Sequence, residues 1–191
     1  MFSSDPFWGS SGATIIDTPT DAANTDVSTL DTLRIMSAIA RRDSQSPIIK
    51  SLAASLCESC NSQQQCAQAI WYFVHGFLTF RPHEDLATNV VGVPQDGIDR
   101  QVLISPASLL ALPSPEGDCA IYSSLTAALL LAQGIKASYR TTASDKDEPW
   151  RWSHVYVIAH LHPNDLTLDT SHGDYPGWET RVKFRQYDYA I

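Results

Sequence analysis

No apolar run in this sequence approaches the ~18 residues that a membrane span needs. The longest, Leu125 to Ala132, is about half that and is interrupted by Thr126. The chain opens Met-Phe-Ser-Ser-Asp-Pro with neither a basic stretch nor an apolar segment behind it, so a secretory signal is not expected and the cytoplasm is the expected compartment. Basic residues are in short supply: 13 Lys and Arg face 21 Asp and Glu, a formal net charge of −8 with a pI near 5.0. That field repels a phosphate backbone, which argues against a nucleic-acid partner. Cysteine is scarce too, and four in 191 residues are too few for a disulfide scaffold. Internal repeats and low-complexity tracts are lacking. What the chain does have is core material. It is 43% apolar and 18% charged, which excludes a wholly disordered chain, and its length suits one domain with or without an arm.

Residues 1–27 differ from the rest. They are rich in Ser, Thr, Asp, Ala and Gly, contain Pro6 and Pro19, and hold no Lys or Arg. They read as an arm, either disordered or docked through Phe2, Phe7 and Trp8 onto the body or a protein partner. Residues 28–191 form the expected domain. Leu30, Leu33, Met36 and Ile39 recur at helical spacing, with Asp31 early and Arg41-Arg42 late, an order that suits the helix dipole. Ser46-Pro47 reads as N-cap and first turn of a second helix. A third runs from the turn at Glu58–Ser62 to Gly76–Leu78. Residues 79–104, with Gly92, Pro94 and Gly97, read as a long irregular connection. Ser105-Pro106 repeats the cap signature for a short helix, and a fourth long helix spans Asp118 to Gln133, closed by Gly134. That helix is apolar nearly all round and so must be buried. The period then changes to two. Ile135–Thr142, Ser153–Leu161, Leu166–Asp169 and Thr180–Phe184 read as antiparallel strands. Helices first and strands later predict an α+β fold with the buried helix packed on the sheet.

Cys119 stands at the first turn of that buried helix, after Gly117-Asp118. Helix N-termini carry unpaired N–H groups and partial positive charge, which favour a thiolate and could stabilise an oxyanion. A thiolate nucleophile needs a base, and the base needs an orienting group. The strand around His154 offers the base. Asp169, at the end of the next strand, offers a carboxylate to hold the imidazole in one tautomer. Asp118 reads as a helix cap.

Gly117-Asp118-Cys119 opening an Ala/Leu helix that ends Gln133-Gly134-Ile135, then Ser153-His154-Val155-Tyr156-Val157, then Leu168-Asp169, resembles the core of transglutaminase-like proteins. The resemblance covers roughly residues 45–184. The run Asp169 to Glu179 is similar to bacterial and phage-associated members, which adds a virion as a second expected location. Where Ala120 and Ile121 stand here, many relatives carry acidic residues; many carry a Trp where Tyr156 stands. The resemblance implies a papain-like fold with Cys119 as nucleophile, His154 as general base and acid, and Asp169 as orienter. The implied reaction is acyl transfer on a peptide or isopeptide amide of a peptide or protein substrate, with hydrolysis favoured over cross-linking and no cofactor. The alternative is a binding or structural protein, for example of a phage-derived particle, whose site is vestigial.

Trp152, Tyr156, His172 and Trp178 are the expected cleft residues, with Trp150 as a further wall; His75 and His83 read as structural. Cys57, Cys60 and Cys66 cluster at one turn. A structural zinc lacks a fourth ligand there. A disulfide of Cys57 or Cys60 with Cys66 is an alternative, and reduced packing in the core is the simplest expectation. His160, His162 and Asp165 raise a third reading, a metallohydrolase. Carboxylates spaced for calcium in an EF-hand are absent.

Overall fold

A computed structural model describes residues 13–17, 25–83, 85–86 and 100–191. Phe2, Phe7 and Trp8 lie outside these residues. Residues 13–17 of the expected arm do not hang free of the body: β1 (Ala13–Asp17) pairs antiparallel with β3 (Arg100–Ile104). The first helix, α1 (Thr25–Asp43), starts three residues before the apolar periodicity does, with Asp26 in its first turn and Arg41 and Arg42 in its last. α2 (Pro47–Cys57) starts where its cap signal predicts, with Ser46 accepting from the Ile49 N–H, and α3 (Gln63–Phe77) follows the expected turn, with Ser62 accepting from the Gln65 N–H. Cys57 and Cys66 form a disulfide across the α2–α3 turn and Cys60 stays a free thiol, which corrects the expectation of three reduced cysteines. α4 (Pro106–Leu109) is capped by Ser105, and the buried Asp43 carboxylate at the end of α1 accepts from Ser105 Oγ and the Ala107 N–H.

The helix that carries Cys119 is α5 (Cys119–Ala132), and every residue from Ala120 to Leu130 is buried. It lies between α1, α2 and α3 on one side and the sheet on the other. Its polar side chains are satisfied locally. Ser124 and Thr126 donate to carbonyls one turn back, and Ser123 donates to the Val155 carbonyl of the sheet. Gly134, at φ +69°, ends the helix: its N–H bonds the Leu131 carbonyl and that of Ile135 bonds Leu130, a closed left-handed cap.

Four antiparallel strands follow: β5 (Ala137–Ala143), β6 (His154–Ala159), β7 (Leu166–Leu168) and β8 (Arg185–Ala190), in the order β7-β6-β5-β8. The α+β expectation holds. The last strand is not Thr180–Phe184 but the six residues after it. Its register is marked by a charge pair rather than by apolar alternation: Asp188 sits opposite Arg140 and takes both ends of its guanidinium, at 2.6 and 2.7 Å. In the expected irregular connection, β2 (Thr79–Phe80) pairs in parallel with β4 (Glu116–Gly117), which leads straight into α5. Among the described residues no helix is long and apolar enough to cross a membrane.

Candidate active site

The nucleophile candidate is held by its neighbours on both sides. One carboxylate oxygen of Asp118 accepts from the N–H groups of Ala120 and Ile121, both at 3.1 Å, while the other accepts from the Gln101 side-chain amide. The N–H of Cys119 itself is left out of this cap. Burial pushes the Asp118 carboxyl up, against those hydrogen bonds and the charge of His83. Gly117 is required by space. A Cβ there would come within 2.7 Å of the Ile121 Cγ2. The Arg81 N–H bonds the Gly117 carbonyl and its guanidinium bonds Glu116, so β2 and β4 hold the approach to Cys119. Cys119 is half-buried and lines a cleft of about 690 Å³.

His154 opens β6 and lines the same cleft. Its Nε2 meets Asp169 Oδ2 at 2.7 Å, and the cleft it lines also holds Cys119. With Nε2 spent on the carboxylate, Nδ1 is the nitrogen left for the thiol. Burial disfavours the charged ring, but hydrogen bonds and charge from Asp169 and Cys119 outweigh it and push the His154 pKa up to about 10.

Asp169 follows β7 and is 1% exposed. Its Oδ1 accepts from the Ser171 N–H (3.2 Å), the Ser171 hydroxyl (3.1 Å) and the His172 N–H (3.0 Å). Burial raises its carboxyl, yet the bond and charge of His154 and the His172 N–H hold it below the ordinary carboxylate range. The backbone that carries it is fixed from α3. Trp71 donates its indole N–H to the Asp169 carbonyl at 2.9 Å, and His75, stacked on Trp71 at 4.5 Å, bonds the Thr170 carbonyl at 3.1 Å. Sequence reasoning missed this role of Trp71, because a Trp on an apolar helix face carries no mark of what its N–H will reach.

Three of the four expected cleft residues line the cleft: Trp152, His172 and Trp178. Trp152 is braced by Asp26, which accepts its indole N–H at 2.8 Å, and by Arg185, whose guanidinium lies 4.3 Å from the ring centroid and bonds the same Asp26. Tyr156 is a correction. It is 1% exposed behind His154 and donates its hydroxyl to Glu179 at 2.7 Å. Glu179 also takes Arg140 and Lys183, so Tyr156 helps anchor the segment that presents Trp178. Trp150 is 49% exposed and outside the cleft. Phe80 and Gln101 line the cleft unannounced by the sequence, the first from a two-residue strand beside Gly117.

The metallohydrolase grouping does not assemble. His160 and Asp165 pair at 3.0 Å on the surface, and the group of metal-type side chains found among the described residues is His154, Asp169 and His172, with donor atoms within 4.8 Å of one another. There the direct His154–Asp169 bond already occupies two of the three.

No family profile and no curated protein matches the chain. Two solved structures do. One is a protein proposed to be a cysteine protease from Cytophaga hutchinsonii, with TM-score 0.51, 18% identity and coverage of 92% of this chain and 54% of that one. Another, proposed to be a protease from Parabacteroides distasonis, has TM-score 0.48 and 14% identity and covers 81% of this chain and 31% of that one. The chain thus spans about half the length of the first and less of the second. The likeness to the first establishes that this chain shares the α+β fold of a protein proposed to be a cysteine protease.

Proposed function

We propose that the protein catalyses cysteine-dependent acyl transfer on a peptide or isopeptide amide, hydrolysis rather than cross-linking, as a papain-like enzyme with the transglutaminase-like order of Cys119, His154 and Asp169. The observation that carries this reading is the 2.7 Å bond from His154 Nε2 to Asp169 Oδ2, made at the wall of the cleft that Cys119 also lines. The Cys119 thiolate attacks the amide carbonyl, and the oxyanion that forms meets the Cys119 N–H, which the Asp118 cap leaves free. His154 passes its proton to the departing amine, leaving a thioester on Cys119. Water, which reaches the open cleft, then releases the acid.

The Cys57–Cys66 bridge weighs towards an oxidising compartment; alkylating protein at its source before lysis and counting blocked thiols tests this. The catalytic reading is tested by alkylation with iodoacetamide, mapped by mass spectrometry so that Cys60 and Cys119 are scored separately. Cys119 is expected to react faster than Cys60, and His154→Ala is expected to slow Cys119 at least tenfold while leaving Cys60 alone. A Cys119 that is inert in the wild type, or indifferent to His154, would sink the enzyme reading and leave a cleft that binds a peptide without cutting it.

A further inference from the structure

We infer that His172 is a second general base in the cleft, which activates the water that resolves the Cys119 thioester, so that the two half-reactions use different imidazoles. The inference rests on the acyl-transfer reading above. Its ground is the tautomer of His172. The Ser171 hydroxyl touches two acceptors, Asp169 Oδ1 at 3.1 Å and His172 Nδ1 at 2.9 Å, and has one hydrogen to give. An ionised carboxylate only accepts, so the hydroxyl hydrogen goes to Asp169. The His172 contact is then a bond only if Nδ1 carries the hydrogen and donates it to Ser171 Oγ. Asp169 therefore writes the tautomer of His172 through Ser171, as it writes that of His154 directly. The Nε2 of His172 is left as a lone-pair acceptor and has no hydrogen-bond partner among the described residues.

Position agrees with this. His172 lines the cleft with Cys119, and its ring stands edge-on to His154 at 4.7 Å and to Phe80 at 4.7 Å, which fixes it without spending Nε2. Partial cover, and then the charge of His154, hold its pKa below the ordinary imidazole value, against the pull of Asp169. The step balances. His172 Nε2 takes one hydrogen of water as the oxygen adds to the thioester carbonyl. The tetrahedral adduct expels the Cys119 thiolate, and His154, left neutral when it protonated the departing amine, takes a proton from solvent and faces the thiolate as imidazolium again. The acid leaves, and His172 returns its proton to solvent.

The test uses p-nitrophenyl acetate as acyl donor to the full chain, with the nitrophenol burst read as acylation and the acetyl mass on Cys119 followed for its decay. In His172→Ala the burst is expected to slow no more than about threefold, while decay of the acyl-enzyme slows by about 10²-fold or more, the usual scale of general-base loss. Free imidazole is expected to restore the decay, which it would not do for a merely structural residue. Ser171→Ala, which keeps the ring but unsets the tautomer, is expected to slow decay by about tenfold. Decay at the wild-type rate in His172→Ala, or a burst lost together with the decay, would overturn the assignment while leaving the proposed function standing. Loss of wild-type turnover in EDTA, restored by zinc, would give His172 to a metal and overturn it too. A wild type that never takes acetyl on Cys119 would refute the proposed function itself, and this inference with it.

Discussion

Asparagine at position 169 would test where His154 gets its charge. Burial opposes the imidazolium, and what overcomes it is Asp169 and Cys119, which together push the pKa up to about 10; an unfolded histidine titrates near ~6.5. The folded state therefore holds this proton more tightly. The stabilisation is fully present below pH ~6.5 and is lost as pH rises towards 10. At about 1.4 kcal/mol per unit, the whole shift is worth a few kcal/mol, shared between Asp169 and Cys119. The carboxylate's own contribution runs the other way, present above ~4 and lost as pH falls through its lowered value. The assay is urea unfolding at constant salt from pH 5 to 10. With a slope of about 1–3 kcal/mol per molar, the wild-type midpoint is expected to fall by about 1 M between pH 6.5 and 10 from this pair. In Asp169→Asn that fall is expected to shrink by half or more, because the amide supplies no charge to hold the proton. Parallel profiles for the two proteins over that range would refute the reasoning.

Three further outcomes are expected. Trp71→Phe keeps a buried ring against His75 but removes the indole donor to the Asp169 carbonyl; it should cost about 1–2 kcal/mol in thermal or urea unfolding and slow Cys119 alkylation. Gly117→Ala drives a methyl into Ile121 at the first turn of α5, so a loss of about 1–3 kcal/mol is expected in the same unfolding assay. Reducing Cys57–Cys66 with dithiothreitol opens a short loop of sequence separation 9, and should lower stability by about 2–3 kcal/mol without changing the rate at Cys119.

The parts of the site that could be read from the sequence are those written in local chemistry. Gly117-Asp118-Cys119 is a close approach, a cap and a candidate nucleophile in three consecutive residues, and Gly134 closes the same helix by backbone conformation alone. His154 and Asp169 were legible because two adjacent strands joined by a turn bring such residues side by side. What escaped was written in distant contacts. The true start of α1 is marked by Asp26, whose partners Trp152 and Arg185 lie 126 and 159 residues away. β8 sits where Asp188 finds Arg140, a pairing that periodicity does not register. Tyr156 shares strand parity with His154, so alternation puts both in the cleft. In the fold, Glu179 closes over the tyrosine one pleat further along and only the histidine keeps its access. Nothing in the spacing of Cys57, Cys60 and Cys66 selects the pair that bonds; the α2–α3 turn does.

The hydrogen bond from Trp71 to the Asp169 carbonyl ties residues 98 positions apart, and Tyr139 to Met36 and Ser105 to Asp43 add ties across 103 and 62. Such contacts form late, because each must first close a long loop. The carboxylate bonded to His154 is thus held by contacts that exist only once distant parts of the chain have met. A chain still being made, or one partly unravelled, would carry Cys119 with no aligned base beside it. Under the proposed function, reactivity of this thiol is then a property of the finished fold, absent until the molecule around it is complete.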